Sequence, residues 1–171
     1  MAAETREPYA RLGDVSDLEL RRERYDGPSA QRLIDEVQAE YVVRYGGPDE
    51  AVVDPDEFAP PRGEFWVGYL GDEPIATGGW RLLDLPGDDP RVAEIKRMFV
   101  VSAQRRRGYS RVMLQQLEDS AREAGVHQLI LITGIKQPEA IDLYSTSGYE
   151  VIPGFGHYAD YEDARFFGKA L

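Results

Sequence analysis

The stretch MFVVSAQRRRGYSRVMLQ, residues 98–115, joins an apolar run to an amphipathic one through three arginines and a glycine. The apolar run predicts a strand, and Met113, Leu117 and Ala121 recur at helical spacing after the glycine. A helix that begins directly after a tight turn presents unpaired amides at its N-terminus, where its dipole also favours negative charge. The stretch therefore predicts either a solvated basic loop or a site for a phosphorylated ligand.

The chain as a whole is acidic, which makes this arginine run unusual. Its 171 residues include 31 Asp and Glu against 20 Lys and Arg, a formal net charge of −11. This sign argues against nucleic acid or an anionic membrane as the main partner. There is no cysteine, which excludes disulfides, cysteine nucleophiles and cysteine-bound zinc, and two histidines are too few for a histidine-rich metal site.

The start of the chain is polar and lacks the apolar centre of a secretory signal. No apolar run approaches the ~20 residues needed to cross a bilayer. We expect residues 1–14 to be a flexible lead-in and residues 15–171 to form a single domain. The expected protein is cytoplasmic, and is a monomer or a homodimer.

Hydrophobic periodicity over residues 15–171 predicts alternating strands and helices. The predicted order is a strand from Val15 to Tyr25, a helix, a Pro- and Asp-rich loop, three strands, a helix, a strand, a helix and two closing strands. The first two of the three strands are joined by a turn at Gly71-Asp72, and the closing strands are YEVIPGF and ARFFGKAL. The first helix is predicted from apolar residues at helical spacing: Ala30, Leu33, Ile34, Val37 and Tyr41. Strand–helix–strand units imply crossover connections and a mixed sheet with helices on its faces. The sequence thus predicts an α/β or α+β layered domain.

The arginine–glycine junction matches neither of the common phosphate-binding loops. It has no Gly-Lys-Ser/Thr, as a P-loop requires, and lacks the three spaced glycines of a Rossmann fingerprint. It resembles the acetyl-CoA-binding motif of the GNAT acyltransferase superfamily, Arg/Gln-x-x-Gly-x-Gly/Ala between a strand and a helix. Arg105, Gly108 and Ser110 occupy the motif positions, with serine replacing the last Gly/Ala.

A second block, QPEAIDLYSTSGYEV at residues 137–151, resembles the family pattern Asn-x-x-Ala-x-x-Leu/Phe-Tyr-x-x-x-Gly-Phe/Tyr. Gln137 stands in the asparagine position and Tyr144 in the tyrosine position. The resemblance is to a bacterial subgroup of small single-domain members. It implies a mixed, mostly antiparallel twisted sheet of six to seven strands, flanked by helices.

The activity that the resemblance implies is N-acetyltransferase activity. An acetyl group would move from acetyl-CoA, the acyl-donor cosubstrate, to a primary amine of a small molecule or peptide, by direct attack in a ternary complex without a metal. The alternatives are a non-catalytic acyl-CoA-binding sensor or interaction module, and a nucleotide-binding protein of another fold. The implied cosubstrate-binding residues are Met98, Phe99, Val100, Arg105, Arg106, Arg107, Gly108, Tyr109, Ser110, Arg111 and Gln137.

Two residues are implied for the chemistry, Glu94 as general base and Tyr144 as general acid. Glu94 precedes Gly108 by 14 residues (108 − 94), the spacing of the catalytic glutamate in histone-type members. Strand alternation predicts that Glu94, Lys96, Met98 and Val100 share one face. The alternative for Glu94 is an ion pair with Lys96 or Arg97, and for Tyr144 it is a packed core tyrosine.

The acceptor pocket is expected near the first helix, the loop after it, and the turn between the last two strands. Tyr41, Trp80, His157 and Tyr158 are the candidate substrate-binding residues, although aromatics also belong in cores. Together with Asp49 and Glu50, they predict an aromatic and acidic lining that suits an ammonium. His157 is an alternative base or a solvated loop residue.

Overall fold

The structure, a computed structural model, describes residues 15–85 and 91–171. The expected lead-in over residues 1–14 lies outside the described residues. The elements follow the predicted order: β1 (Glu19–Glu23), α1 (Pro28–Tyr45), β2 (Gly63–Leu70), β3 (Glu73–Leu82), β4 (Val92–Val100), α2 (Tyr109–Glu123), β5 (Gln128–Gly134), α3 (Pro138–Ser145), β6 (Glu150–Val151) and β7 (Ala164–Ala170). None of the helices in these two ranges is long and apolar enough to span a bilayer.

The seven strands form one mixed sheet in the order β1-β2-β3-β4-β5-β7-β6. Neighbouring strands are antiparallel except β4 and β5, which are parallel and connected through α2. Gly71, with φ 60°, lies in the turn joining β2 to β3, where the sequence predicted a hairpin. The predicted fold class is confirmed.

The helices cover both faces of the sheet, as their apolar stripes require. α1 buries Ala30, Leu33, Ile34 and Val37 against aromatic residues of one face, while Met113, Leu117 and Ala121 of α2 are fully buried on the other. Burial of each leucine side chain stabilises the folded state by roughly 1.5–3 kcal/mol. Tyr144 of α3 packs in the cluster formed by α2, so α2 and α3 share a face.

Two predicted strands are shorter than expected. Residues Val15–Asp17 form a 3₁₀ turn, so the first strand begins at Glu19. The strand predicted over YEVIPGF is limited to Glu150–Val151. Pro153 follows closely and has no N–H to continue the ladder, which ends the strand.

The central strand β4 contains the irregularity that shapes the molecule. Its pairing with β3 shifts register between Thr77 and Gly79, and Arg97 opposite has φ 59°. Beyond this bulge, Val100 packs in the α2 cluster, whereas Glu94 contacts Arg81 on the α1 side. The prediction that Glu94, Lys96, Met98 and Val100 share one face is therefore wrong, because a bulge interrupts the two-residue alternation.

β4 also separates from β5 halfway along its length. The two strands pair from Val92↔Gln128 to Ile95↔Leu131, and no pairing continues past that point. β5 remains paired with β7 as far as Gly134, so it is β4 that leaves the parallel ladder. The result is a gap in the sheet, bounded by Lys96–Val100 on one side and by the end of β5 on the other.

Candidate active site

A cleft of about 560 Å³ extends from this gap to the N-terminus of α2. We call it the large cleft; α1, β4, the loop before α2, and α3 line it. All eleven residues predicted to bind the cosubstrate line it except Arg107, which is exposed and lies outside. The folded chain thus gathers the other ten, from β4, the loop, the start of α2 and Gln137, into one concave surface.

The N-terminus of α2 offers unpaired amides to this cleft. Gly108 caps the helix with φ 87°, a left-handed conformation that glycine adopts at low cost. Within the described residues, the amides of Gly108, Tyr109 and Ser110 have no backbone acceptor. These amides and the helix dipole together make a site suited to a phosphate oxygen.

The free edge of β4 supplies further backbone groups. Val101 N donates to Ile75 O on β3, and backbone groups alternate sides along a strand, so those of Met98 and the amide of Val100 point to the cleft. Phe99 presents its ring there instead. Gln104, a residue that the sequence did not single out, lines the same cleft with a buried Oε1 that has no partner among the described residues.

The arginines of the loop have different roles. Arg105 donates to both carboxylate oxygens of Glu40, at 2.6 and 3.0 Å, and to Val100 O at 2.9 Å. Arg111 donates to Thr146 and Ser147 beyond α3. Arg106 makes no ion pair with any described residue and lines the cleft, so its guanidinium is available to an anion. Arg105, by contrast, is part of the wall.

Ion pairs join the walls of the large cleft. Glu40 on α1 binds both Arg105 and Arg44, and Arg44 reaches Glu139 on α3 at 2.5 Å. Burial alone would raise the pKa of Glu40, but the two arginines lower it overall. The carboxylate therefore stays ionised, and these ion pairs connect α1 to α3 and to the loop.

A second space of about 60 Å³ occupies the gap between β4 and β5. We call it the small cavity. It shares Met98, Gln137, Ala140 and Tyr144 with the large cleft, so the two are contiguous. Both candidate catalytic residues, Glu94 and Tyr144, line the small cavity.

Glu94 is buried and lies in two ion pairs, one with Lys96, an alternative that the sequence left open, and one with Arg81, which the sequence did not indicate. Arg81 donates to its Oε2 through Nε at 3.2 Å and Nη2 at 3.1 Å, and Lys96 Nζ lies 3.7 Å from Oε1. Arg81 also binds Glu57, which fixes the guanidinium. Oε1 is left as the less engaged oxygen, and it is the one that could accept a proton.

Asp49, which follows α1, is fully engaged by the protein. Its Oδ2 accepts from Arg97 at 2.5 Å and lies 3.3 Å from Lys96 Nζ, while its Oδ1 accepts from Tyr158 Oη and Ala51 N. Burial would raise the pKa of Asp49, but Lys96 and Arg97 hold it well below its usual value. The sequence had suggested that Asp49 would help to bind the ammonium of an acceptor. In the structure this carboxylate is already occupied by protein groups and is not free to do so.

Tyr144 lies where the small cavity meets the large cleft. Its ring packs against Tyr149 and Phe167, with centroids 5.5 and 6.2 Å away, which holds the phenol in place. Burial raises the pKa of Tyr144 above its usual value, so the phenol keeps its proton at neutral pH. Burial likewise raises the pKa of Tyr41, which lines the same cavity, to about 12. Both hydroxyls are therefore hydrogen-bond donors.

The other predicted substrate-binding residues lie elsewhere. Trp80 is buried in the α2 core, where its Nε1 donates to Ser120 Oγ at 2.9 Å, so its assignment to the acceptor pocket is wrong. It points to α2 because the strand alternation that carries Arg81 to the site carries Trp80 to the opposite face. His157 is exposed, packs on Tyr158 and lines neither space; Tyr158 reaches the site only through Asp49.

Side chains that the sequence did not assign also line the small cavity. Lys96 and Arg97 place two cations there, and Thr133 has a buried Oγ1 with no partner among the described residues. A Lys-Arg pair inside the apolar run VAEIKRMFV was the available signal, since charges are rare within a central strand. In residues 15–85 and 91–171, no group of His, Cys, Asp and Glu could hold a metal ion.

The chain is similar to known proteins in sequence and in fold. The family model described as acetyltransferase (GNAT) family matches residues 30–149. The IAA acetyltransferase of Azospirillum brasilense is 30% identical, over 82% of this chain and 89% of its own length.

Two solved structures have the same fold. A Klebsiella pneumoniae protein assigned as an acyl-CoA N-acyltransferase superposes with a TM-score of 0.73 at 22% identity, covering 90% of this chain and 97% of that one. An Elizabethkingia anophelis GNAT family acetyltransferase, solved with acetyl-CoA bound, gives 0.63 at 14% identity, covering 91% and 99%. This chain belongs to the GNAT family of acetyltransferases.

Proposed function

We propose that this protein is an acetyl-CoA-dependent N-acetyltransferase that acetylates a primary amine of a small molecule or peptide. The observation that carries the proposal is the contiguity of the two spaces at Tyr144. A thioester held in the large cleft would end where an amine in the small cavity could reach its carbonyl carbon. Holding both reactants in one complex removes the need for a covalent intermediate on the protein.

The residues of the large cleft fit a donor that carries phosphates and amides. The amides of Gly108, Tyr109 and Ser110 would bind the diphosphate, and the guanidinium of Arg106 would add a full charge. The free backbone groups of Met98 and Val100 would pair with an extended chain of amides, as a peptide pairs with a sheet edge. The acetyl-CoA bound to the Elizabethkingia relative supports this choice of donor.

The chemistry proposed for the small cavity is a direct attack. Glu94 Oε1 would accept a proton from the ammonium, directly or through water. The amine nitrogen would then bond to the acetyl carbon while the carbon–sulfur bond breaks, and Tyr144 would protonate the leaving thiolate. The second proton that the nitrogen loses on becoming an amide would return through water to the phenolate of Tyr144. Arg81, bound to the other oxygen of Glu94, would keep the carboxylate aimed at the cavity.

One observation favours the alternative of a non-catalytic acyl-CoA sensor: both oxygens of Glu94 already face cations. Turnover decides between the two functions. Because the chain has no cysteine, a thiol reagent added to the purified protein detects only free CoA released from acetyl-CoA. Amine-dependent thiol release with matching N-acetylated product supports the enzyme. Tight acetyl-CoA binding without release on any amine would establish the sensor.

A further inference from the structure

Two basic side chains, those of Lys96 and Arg97, line the small cavity and are almost completely buried. They are 7% and 4% exposed. Burying a cation is costly unless it is well paired. Lys96 Nζ lies 3.3 Å from Asp49 and 3.7 Å from Glu94, and it makes no hydrogen bond with any residue in the described ranges. The ammonium is therefore paired in charge, but its N–H groups have no hydrogen-bond acceptor among the described residues.

Among the described residues, three of the four carboxylate oxygens of the cavity accept hydrogen bonds, and the fourth, Glu94 Oε1, is the proposed proton acceptor. Asp49 accepts from Arg97, Tyr158 and Ala51, and Glu94 Oε2 accepts twice from Arg81. What the cavity lacks is therefore an acceptor of hydrogen bonds for its cations. An incoming anionic group would supply it.

Other donors surround the same space. Gln137 Oε1 accepts from Tyr45 Oη at 3.3 Å, which leaves the amide N–H groups of Gln137 without a partner among the described residues. The cavity volume of about 60 Å³ corresponds to about four to six water-sized groups. The amine, the α-carbon and the carboxylate of an amino acid together are a group of that size.

We propose that the acceptor is an amino acid, or another amine with a carboxylate close to it, and that Lys96 and Arg97 bind this carboxylate. The inference rests on the proposed function, because it names the acceptor class of the same site. The carboxylate would complete the hydrogen bonding of the Lys96 ammonium and leave the amine on the side of Glu94 and Tyr144. It adds a carboxylate to the expected ammonium-bearing acceptor, since Asp49 is already paired with Arg97.

The test compares acceptors that differ only in the carboxylate. Thiol release from acetyl-CoA is measured with the standard amino acids, their carboxamides and their decarboxylated amines. The free acid of the best acceptor is expected to exceed both analogues in kcat/KM by at least about tenfold, the value of one hydrogen bond to a charged group.

Variants at Lys96 locate the effect. Lys96→Met is expected to remove the preference for the acid by raising its KM, while the KM for acetyl-CoA stays unchanged; Lys96→Arg is expected to restore part of it. Lys169→Met is the matched control, because Lys169 forms a half-buried ion pair with Glu118 at 2.8 Å and lines neither space. It should keep the preference.

The failures of the two proposals are distinguishable. Acetylation of amines with equal kcat/KM for acid and carboxamide overturns the acceptor class and leaves the acetyltransferase intact. Without turnover on any amine, the proposed function fails, and calorimetry with CoA and N-acetyl amino acids decides the inference. The carboxylate site is supported if N-acetyl amino acids bind at least about tenfold more tightly than their carboxamides and if Lys96→Met removes this difference. Equal binding of the two ligands refutes it.

Discussion

The large cleft and the small cavity are neighbours, but they are built from different parts of the chain. The cleft presents backbone: amides at the start of α2, the free edge of β4, and a glycine with φ 87°. The cavity presents side chains from separate elements, namely Asp49 after α1, Glu94 with Lys96 and Arg97 on β4, and Tyr144 on α3. Backbone recognition suits a ligand common to a family, whereas side-chain charges determine what is specific to one member.

The largest expected effect is at the junction between the two spaces. Tyr144→Phe should lower kcat by roughly 10²–10⁴-fold, the range for loss of a general acid, because the thiolate would leave without its proton. The dissociation constant of acetyl-CoA, measured by calorimetry, should not change. Tyr149→Phe is the control, since its ring packs on Tyr144 but lines neither space. Equal kcat in the wild type and Tyr144→Phe would remove the acid from the mechanism.

Next in size is the effect of breaking the charge network of the small cavity. Asp49→Asn leaves Arg97 and Lys96 without their carboxylate, and should cost about 3 kcal/mol in the free energy of unfolding at pH 7. Because the folded-state pKa of Asp49 is below the ordinary value of 3.8, its stabilisation is present above that value. It is lost as the pH falls further, because the unfolded chain binds the proton more readily.

Urea unfolding measured from pH 7 downwards checks this prediction. The difference between wild type and Asp49→Asn should be constant near neutrality and should shrink below about pH 4. A difference that is independent of pH over the whole range would show that Asp49 contributes through packing and not through its charge.

A smaller effect separates backbone strain from ligand binding in the large cleft. Gly108→Ala and Gly125→Ala both place a side chain at positive φ, 87° and 78°, and each should cost about 1 to 2 kcal/mol of stability. Gly108 lines the cleft and Gly125 lies at the other end of α2. Only Gly108→Ala should also weaken the binding of CoA in calorimetry. Equal loss of CoA affinity in both variants would contradict a role for this turn in binding.

The smallest expected effect distinguishes two adjacent arginines. Arg106 lines the large cleft and Arg107 does not, so Arg106→Glu should weaken CoA binding several-fold more than Arg107→Glu. The difference should decrease with added salt, because screening weakens charge interactions across an open cleft. If the two variants bind CoA equally at low salt, the phosphates do not reach Arg106.

The part of the large cleft that residues 98–111 form could be predicted from the sequence, because these residues are consecutive. Residues 98–111 form a strand, a turn and a helix start, and local propensity alone places their amides together. Gln104 was not predicted, since nothing in the local pattern indicates that its side-chain oxygen would be buried without a partner. The order of elements and the mixed sheet were predicted for the same local reasons.

The small cavity could not be predicted in the same way. The bulge at Arg97 arises where β4 pairs with β3. It places Met98 and Val100 on the face of the sheet opposite to the one that simple alternation predicts. Trp80 was placed on the wrong face because the sequence does not say which side of β3 faces α2. The pairing of Asp49 with Arg97 joins positions that only the folded chain brings together.

The separation of β4 from β5 also affects how the two halves of the sheet are held together. In the part of the chain that the structure describes, four residue pairs, Val92↔Gln128 to Ile95↔Leu131, join strands β1–β4 to the β5–β7–β6 half of the sheet. Exchange of the amides along this seam with deuterated solvent would report any parting of the two halves. A cosubstrate lying across the seam would contact both halves of the sheet and make them move as one body. Amide exchange should then slow in both halves at once.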